Sequence, residues 1–108
     1  MVTMATPQDI VFRAIADPTR REILRLLKSR GQTVGELAEN FPTSRPAISK
    51  HVRLLRSAGL IVTRETGATR LCELNAMPLR AVDHWLKDYN AFWRDSLRSL
   101  KRHVERQR

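Results

Sequence analysis

The sequence predicts a mainly α fold with one small β-hairpin, in the order α-α-α-α-β-β-α. Three observations carry this. Residues 33–57 hold two short helical patterns separated by a break, residues 60–74 hold two strand-like runs around a glycine, and residues 77–106 repeat apolar side chains at steps of three and four. The chain, residues 1–108, is near the commonest domain size and long enough to bury a core without disulfides, so a single domain is expected.

In chain order, Met1 to Thr6 carries no pattern and reads as a frayed end. From Asp9 onward, Ile10, Val11, Phe12, Ala14 and Ile15 crowd a short first helix with more apolar surface than a lone surface helix needs, so another element must cover it. Asp17-Pro18 restarts the helix, because Asp caps an N-terminus and Pro at the first helical position loses no hydrogen bond. In this second helix Ile23, Leu24, Leu26 and Leu27 face inward and Arg20, Arg21, Arg25 and Lys28 face outward, with Gly31 as the stop.

Thr33-Val34-Gly35-Glu36 is a capping box, in which the Thr hydroxyl accepts a helix-start N–H and the Glu carboxylate reaches back to the cap. Leu37, Ala38 and Phe41 give the helix that follows a short apolar stripe. Phe41-Pro42-Thr43-Ser44 then breaks the pattern, since a residue before Pro avoids the helical region and Thr or Ser caps a new helix. The second helix of the pair runs from about Ser44 to Ser57 and buries Ile48, Val52 and Leu55 on one face. Arg45, Pro46, Ser49, Lys50, Arg53 and Arg56 fall mostly on the other side, which has no apolar anchor and is either solvated or set against a polyanion.

Ala58-Gly59 ends that helix. Leu60 to Arg64 predicts a strand, Glu65 to Thr69 a turn, and Arg70 to Leu74 a returning strand, with Arg64 and Arg70 beside the tip. A basic hairpin directly behind a helix-turn-helix is a wing, so the fold predicted is a winged helix-turn-helix with the motif at 33–57 and the wing at 60–74. Asn75 or Ala76 then caps a final helix over residues 77–106, roughly 30 residues and about 40 Å long. Its stripe, widened by Trp85 and Phe92 and continued by Val104, exceeds what a small helical head covers. The first and last helices are therefore predicted to pack against their copies in a two-fold dimer, through Ile10, Val11, Phe12, Ile15, Leu79, Val82, Leu86, Tyr89, Trp93, Leu97 and Leu100.

Composition narrows the partner. Twenty Lys and Arg against 11 Asp and Glu give a formal charge of +9 and a pI near 11.2, which points to an acidic partner and first to double-stranded DNA. An anionic membrane fits less well, because no helix combines a lysine-rich face with a broad apolar one free of other duties. The single cysteine, Cys72, excludes an intrachain disulfide and a multi-cysteine zinc site and fits a reducing cytoplasm. Without a long apolar run or a leader-like N-terminus the chain reads as cytoplasmic, neither exported nor membrane-spanning. It has no Gly-rich phosphate loop, nucleophile elbow or metal-ligand cluster, so no catalytic site, metal or cofactor is expected.

Within the motif, Arg45, Ser49 and Lys50 are the candidates to meet base edges, Arg45 by the bidentate contact to guanine. Thr43 and Ser44 are candidates for phosphate as well as caps, and Pro46 shares their helix start. Arg53 and Arg56 suit the DNA backbone or plain solvent, as do Arg64, Thr66 and Arg70 on the wing. His51 lies nearer the buried flank. Residues 43–70 carry six Lys or Arg against one acid, Glu65, a net of +5. A dimer is expected to bind an inverted repeat with half-sites one helical turn apart, about 34–36 Å. Cys72 is most simply a packing residue; a redox switch would need Arg70 to lower its pKa, and no second cysteine is present to resolve it. The alternative to DNA binding is a protein-interaction module that offers the basic face to an acidic partner.

The sequence resembles the ArsR/SmtB-type winged helix-turn-helix repressors of bacteria. The matching stretches are Ala16-Asp17-Pro18-Thr19-Arg20-Arg21-Glu22-Ile23-Leu24, Ser44-Arg45-Pro46-Ala47-Ile48-Ser49-Lys50-His51-Val52 and Leu54-Leu55-Arg56-Ser57-Ala58-Gly59-Leu60-Ile61. The resemblance covers Ala16 to about Leu74. It implies a homodimer through the first and last helices, operator binding by the second motif helix, repression, and release by an inducer. The family's metal sites are not reproduced: the first motif helix reads Glu36-Leu37-Ala38-Glu39-Asn40-Phe41 where a Cys-x-Cys pair would stand, and Asp83-His84, Asp95, His103 and Glu105 lack the other site's spacing. A small-molecule inducer, unidentified, would have to lie between the last helix and the head, where Trp85, Tyr89 and Phe92 serve packing equally well.

Overall fold

The computed structural model describes residues 6–107. Helix α1 (Pro7–Ile15) opens on a capping box that the sequence pattern did not reveal: Thr6 Oγ1 accepts the Asp9 N–H at 3.1 Å and Asp9 accepts the Thr6 N–H at 3.1 Å. Thr6 is thus a cap rather than the last residue of a frayed end; Met1 to Ala5 lie outside the described residues. Asp17 starts α2 (Pro18–Leu27) by accepting the Arg20 N–H at 3.0 Å. The box predicted at Thr33 and Glu36 forms in both directions, at 3.1 and 3.0 Å, and starts α3 (Val34–Ala38).

After the Phe41-Pro42 break, Ser44 accepts the Ala47 N–H at 3.3 Å and opens α4 (Arg45–Ser57). The far end closes as a Schellman motif. Leu60 N–H donates to Leu55 O at 3.0 Å and Gly59 N–H to Arg56 O at 3.0 Å, with Gly59 at φ +78°. That left-handed φ is the reason a glycine stands there. Leu55 and Leu60, the residues such a motif brings together, are both fully buried.

The strands of the wing are longer and its turn tighter than the sequence suggested. Strands β1 (Ile61–Thr66) and β2 (Thr69–Leu74) pair antiparallel from Ile61 opposite Leu74 to Thr66 opposite Thr69, so only Gly67-Ala68 form the turn. Gly67 has φ +62° and Ala68 does not have a positive φ, the arrangement of a type II′ hairpin turn. Gln32 adds a one-residue rung beside β2, exchanging backbone hydrogen bonds with Cys72 at 3.0 and 2.7 Å.

The core lies where α1, α2, α3, α4 and the base of the wing meet. Ile23, Leu37, Ile48, Leu55, Leu60 and Ile61 are fully buried there, each contributing about 1.5–3 kcal/mol of hydrophobic stabilisation. Val11, expected at a dimer interface, is only 4% exposed and belongs to the protomer's own core, because Val11 and Ala14 share the face of α1 that turns inward.

The last stretch corrects the expectation of one continuous helix over 77–106. A 3₁₀ turn (Met77–Leu79), whose first N–H donates to Asn75 Oδ1 at 3.3 Å, leads into α5 (Arg80–Lys87), and α6 (Asn90–Arg106) follows after a break. Asp88-Tyr89-Asn90 are three successive residues of modest helix propensity, and Tyr89 sits at φ −107°, ψ −6°, well away from regular α-helical angles. The apolar spacing runs unbroken across this point, which is why periodicity hid it. From Ala91 to Gln107 every residue is exposed, and the molecule extends over 63 × 43 × 24 Å. No helix among the described residues is long and apolar enough to cross a membrane.

Candidate nucleic-acid interface

The basic face is built on α4. Ile48, Val52 and Leu55 anchor its inner side, and the three-and-four spacing of that anchor turns Lys50, Arg53 and Arg56 away from it, while Arg45, on the anchor's side, stands clear of the core at the first turn; all four are exposed. None of the four side chains is in an ion pair among the described residues. Ser49 is half-buried between them; Thr43, Ser44 and Pro46 are exposed at the helix start, with the Ser44 hydroxyl engaged as the cap.

An open groove of about 670 Å³ separates α4 from α3 and the wing. Arg45, Ser49, Arg53 and Arg56 line one wall and Thr69 and Arg70 the other, while Gly35, Glu36 and Glu39 close the end at α3. Lys50 does not line it. Arg45 folds back over α3: a Cβ on Gly35 would meet its guanidinium carbon at 3.5 Å. That is ordinary van der Waals contact, so a Cβ at 35 would pack on the Arg45 guanidinium, a proximity the sequence motif did not signal.

The wing arginines differ from those of α4. Arg64 Nε donates to Glu73 Oε1 at 3.0 Å, and Arg70 lies 3.9 Å from Glu65, its partner directly across the hairpin. Both pairs are exposed, so each is worth about 1 kcal/mol or less and yields readily to a stronger partner. Thr66 sits exposed next to the turn. These pairs were not legible in the sequence, because the pattern places Glu65 and Thr69 in the turn and hides the register that sets Glu65 opposite Arg70.

Behind the face, His51 is half-buried as expected, with Nδ1 3.3 Å from Arg20 Nη1 and 3.8 Å from Asp17 Oδ2. The Arg20 N–H that Asp17 accepts, assisted by the Arg20 charge, holds the Asp17 carboxyl below the usual carboxylate range. Arg20, expected to face outward, instead turns in to neighbouring carbonyls of α1. Cys72 is 2% exposed, and burial pushes its thiol up despite the opposing pull of Arg56 and Arg70. The environment needed for a reactive thiolate is therefore absent at Cys72. Among the described residues no three His, Cys, Asp or Glu side chains gather as a metal site.

At the other end, Phe12 packs edge-on against Trp85 at 5.5 Å between ring centroids, and Trp85 against Tyr89 at 4.9 Å. Leu79, Val82 and Ile15 are half-buried against the core. Ile10, Leu86, Tyr89, Trp93, Leu97 and Leu100 are exposed, as are Trp85, Val104 and, at 70%, Phe92. On α6, Trp93, Leu97, Leu100 and Val104 fall on one side and form an apolar stripe that the protomer leaves open, whereas Ile10 lies beside Leu54 of α4.

Comparison with known proteins agrees with this architecture. Residues 15–64 match the helix-turn-helix domain family. The chain is 40% identical over 79 residues to the transcriptional repressor SdpR of Bacillus subtilis, spanning 73% of this chain and 88% of that one. It is 38% identical over 97 residues to an HTH-type transcriptional regulator of Mycobacterium tuberculosis, spanning 90% and 87%. A crystal structure of an ArsR family transcriptional regulator superposes with a TM-score of 0.73 at 36% identity, covering 82% of this chain and 98% of its own. With the helix pair, the wing and a basic outer face in place, the protein belongs to the ArsR family of winged helix-turn-helix regulators, which bind DNA and are not enzymes.

Proposed function

We propose that the protein is a homodimeric repressor that acts in the cytoplasm and binds an inverted-repeat operator, with α4 in the major groove and the wing along the neighbouring backbone. The observation that carries this is the face of α4: four exposed cations without an acidic partner among the described residues, rising from a helix whose other side is locked into the core. Phosphates supply the missing counter-charge, and the N-terminal half of the helix, with Arg45, Ser49 and Lys50, meets base edges. For Arg45 this requires its guanidinium to leave Gly35 and swing toward the DNA. Arg53, Arg56, Thr43 and Ser44 hold the backbone, and Pro46 fixes the helix start.

The dimer is supported by the open apolar surface of α5 and α6. Trp93, Leu97, Leu100 and Val104 occupy one side of a helix that is exposed from end to end, and a second copy covers such a stripe without any other element. Repression is inferred from the similarity to SdpR, a transcriptional repressor. A small-molecule inducer, if one acts on this protein, would bear on the junction of α5 with α1, where Trp85 and Tyr89 stand beside Phe12.

The experiment is a hydroxyl-radical footprint of the protein on the DNA upstream of its own coding sequence. Two protected half-sites about 34–36 Å apart, related by inverted symmetry, are expected. One isolated half-site bound by a monomer would overturn the proposal.

A further inference from the structure

We propose that Arg20 is a positioning residue for DNA recognition, fixing α4 relative to α1 through a hydrogen bond to His51; this rests on α4 being the recognition helix. Helix α1 ends with carbonyls whose hydrogen bonding the helix leaves incomplete; of these, Arg13 O also accepts the Ala16 N–H at 3.3 Å. Two consecutive arginines of α2 donate to these carbonyls. Arg20 Nε donates to Ala14 O at 2.6 Å and Nη2 to Arg13 O at 3.0 Å, while Arg21 Nη1 donates to Ile15 O at 2.8 Å and Ala16 O at 3.1 Å. Positive charge at a helix C-terminus is favourable, so these contacts also suit the helix dipole.

The third corner of the Arg20 guanidinium, Nη1, lies 3.3 Å from His51 Nδ1. A guanidinium offers only donors, so Nδ1 accepts and the ring proton sits on Nε2. Asp17 does not compete for that nitrogen: its Oδ2 is 3.8 Å away and already accepts the Arg20 N–H. One planar side chain therefore touches three helices. It joins the helix that carries part of the dimer surface to the helix that carries the basic face.

Base contacts depend on the angle of α4 to within fractions of an ångström, whereas attraction to phosphates does not. Losing the Arg20–His51 bond should therefore cost discrimination between sequences and leave general DNA affinity in place. Removing Arg20 would also uncap α1, so the test is made at His51. His51→Phe keeps a flat ring but offers no acceptor; His51→Asn places an amide oxygen near the position of Nδ1.

Affinities for the protein's own upstream duplex and a shuffled one are measured by fluorescence anisotropy, with melting temperatures recorded for each variant. His51→Phe is expected to lower the native-to-shuffled affinity ratio by about tenfold or more, equivalent to about 1.4 kcal/mol, with shuffled binding unchanged. His51→Asn is expected to restore most of it. An unchanged ratio in His51→Phe, or equal losses in both variants, would overturn the proposal. If His51→Phe does not fold, Arg20→Lys, which keeps one donor for the end of α1 and cannot reach all three partners, gives the same readout. A wild type that binds both duplexes equally overturns the recognition reading itself, and this inference with it.

Discussion

The salt dependence of DNA binding can be worked out from the charges that the structure leaves free. Arg45, Lys50, Arg53 and Arg56 are exposed and in no ion pair among the described residues, while Arg64 and Arg70 are already engaged by Glu73 and Glu65. Counting only the four on α4, which neutralise phosphate charge whether they rest on the backbone or reach into the groove, gives eight charges in a dimer, and about 0.9 counterion is released per charge, so log affinity should fall against log salt with a slope of about −7. Between about 50 and 200 mM salt that is a loss of about 10⁴-fold. Arg53→Ala removes two contacts per dimer and should bring the slope to about −5. Glu73→Gln should do the opposite, since it frees Arg64 from its 3.0 Å partner and steepens the slope toward about −9. Anisotropy titrations on a fixed duplex at five or six salt concentrations measure all three. A wild-type slope shallower than about −3, or one that Arg53→Ala leaves unchanged, would refute the assignment of this face to phosphates.

Further outcomes follow from the packing and the titrating groups. Ile48→Ala hollows the core beneath α4 at a fully buried position and should cost about 2–5 kcal/mol in urea unfolding, with the denaturant slope unchanged. Leu97→Glu places a charge in the exposed stripe of α6 and should convert a dimer to a monomer in sedimentation velocity; a persisting dimer would move the interface elsewhere. Asp9, Asp17 and Glu36 are held below ordinary carboxylate values, first of all by the N–H groups of Thr6, Arg20 and Thr33 respectively. Because the folded values are the lower ones, their stabilisation is complete above the ordinary carboxylate range, near pH 4, and is lost as pH falls through the folded values. The melting temperature should fall on acidification below about pH 4, and less steeply in Glu36→Gln. Thiol reagents should label Cys72 in the native protein no faster than the protein unfolds, given its burial and raised pKa; rapid labelling would contradict the wing's packing.

What the sequence revealed depended on how local the determining physics is. The starts of α2, α3 and α4 were legible because a cap and the N–H it binds lie three residues apart, so Asp17, Thr33 and Ser44 announce themselves. Thr6 and Asp9 have the same spacing but use Asp in place of Glu, and the box went unnoticed. Long-range geometry was less visible. The break at Tyr89 is silent in the apolar pattern, since Leu86, Tyr89 and Trp93 keep their three-and-four steps across it. The split of Val11 from Ile10 on α1 depends on which face meets α2 and α4. At the candidate site, the outward direction of Lys50, Arg53 and Arg56 was readable from periodicity, whereas Arg45, spaced like the buried residues, is exposed because it opens the helix. The arginine–glutamate pairs of the wing and the links from Arg20 to His51 and from Arg45 to Gly35 depend on hairpin register and helix packing, which no single stretch encodes.

The central claim is that the face of α4 reads a DNA sequence. The most direct measurement is fluorescence anisotropy of the purified protein on its own upstream DNA and on a shuffled duplex, near physiological salt. Binding to the native duplex at least about a thousandfold tighter than to the shuffled one is the predicted result. Equal binding to both, collapsing together as salt rises, would contradict it and make the basic face an electrostatic footprint open to an acidic protein partner.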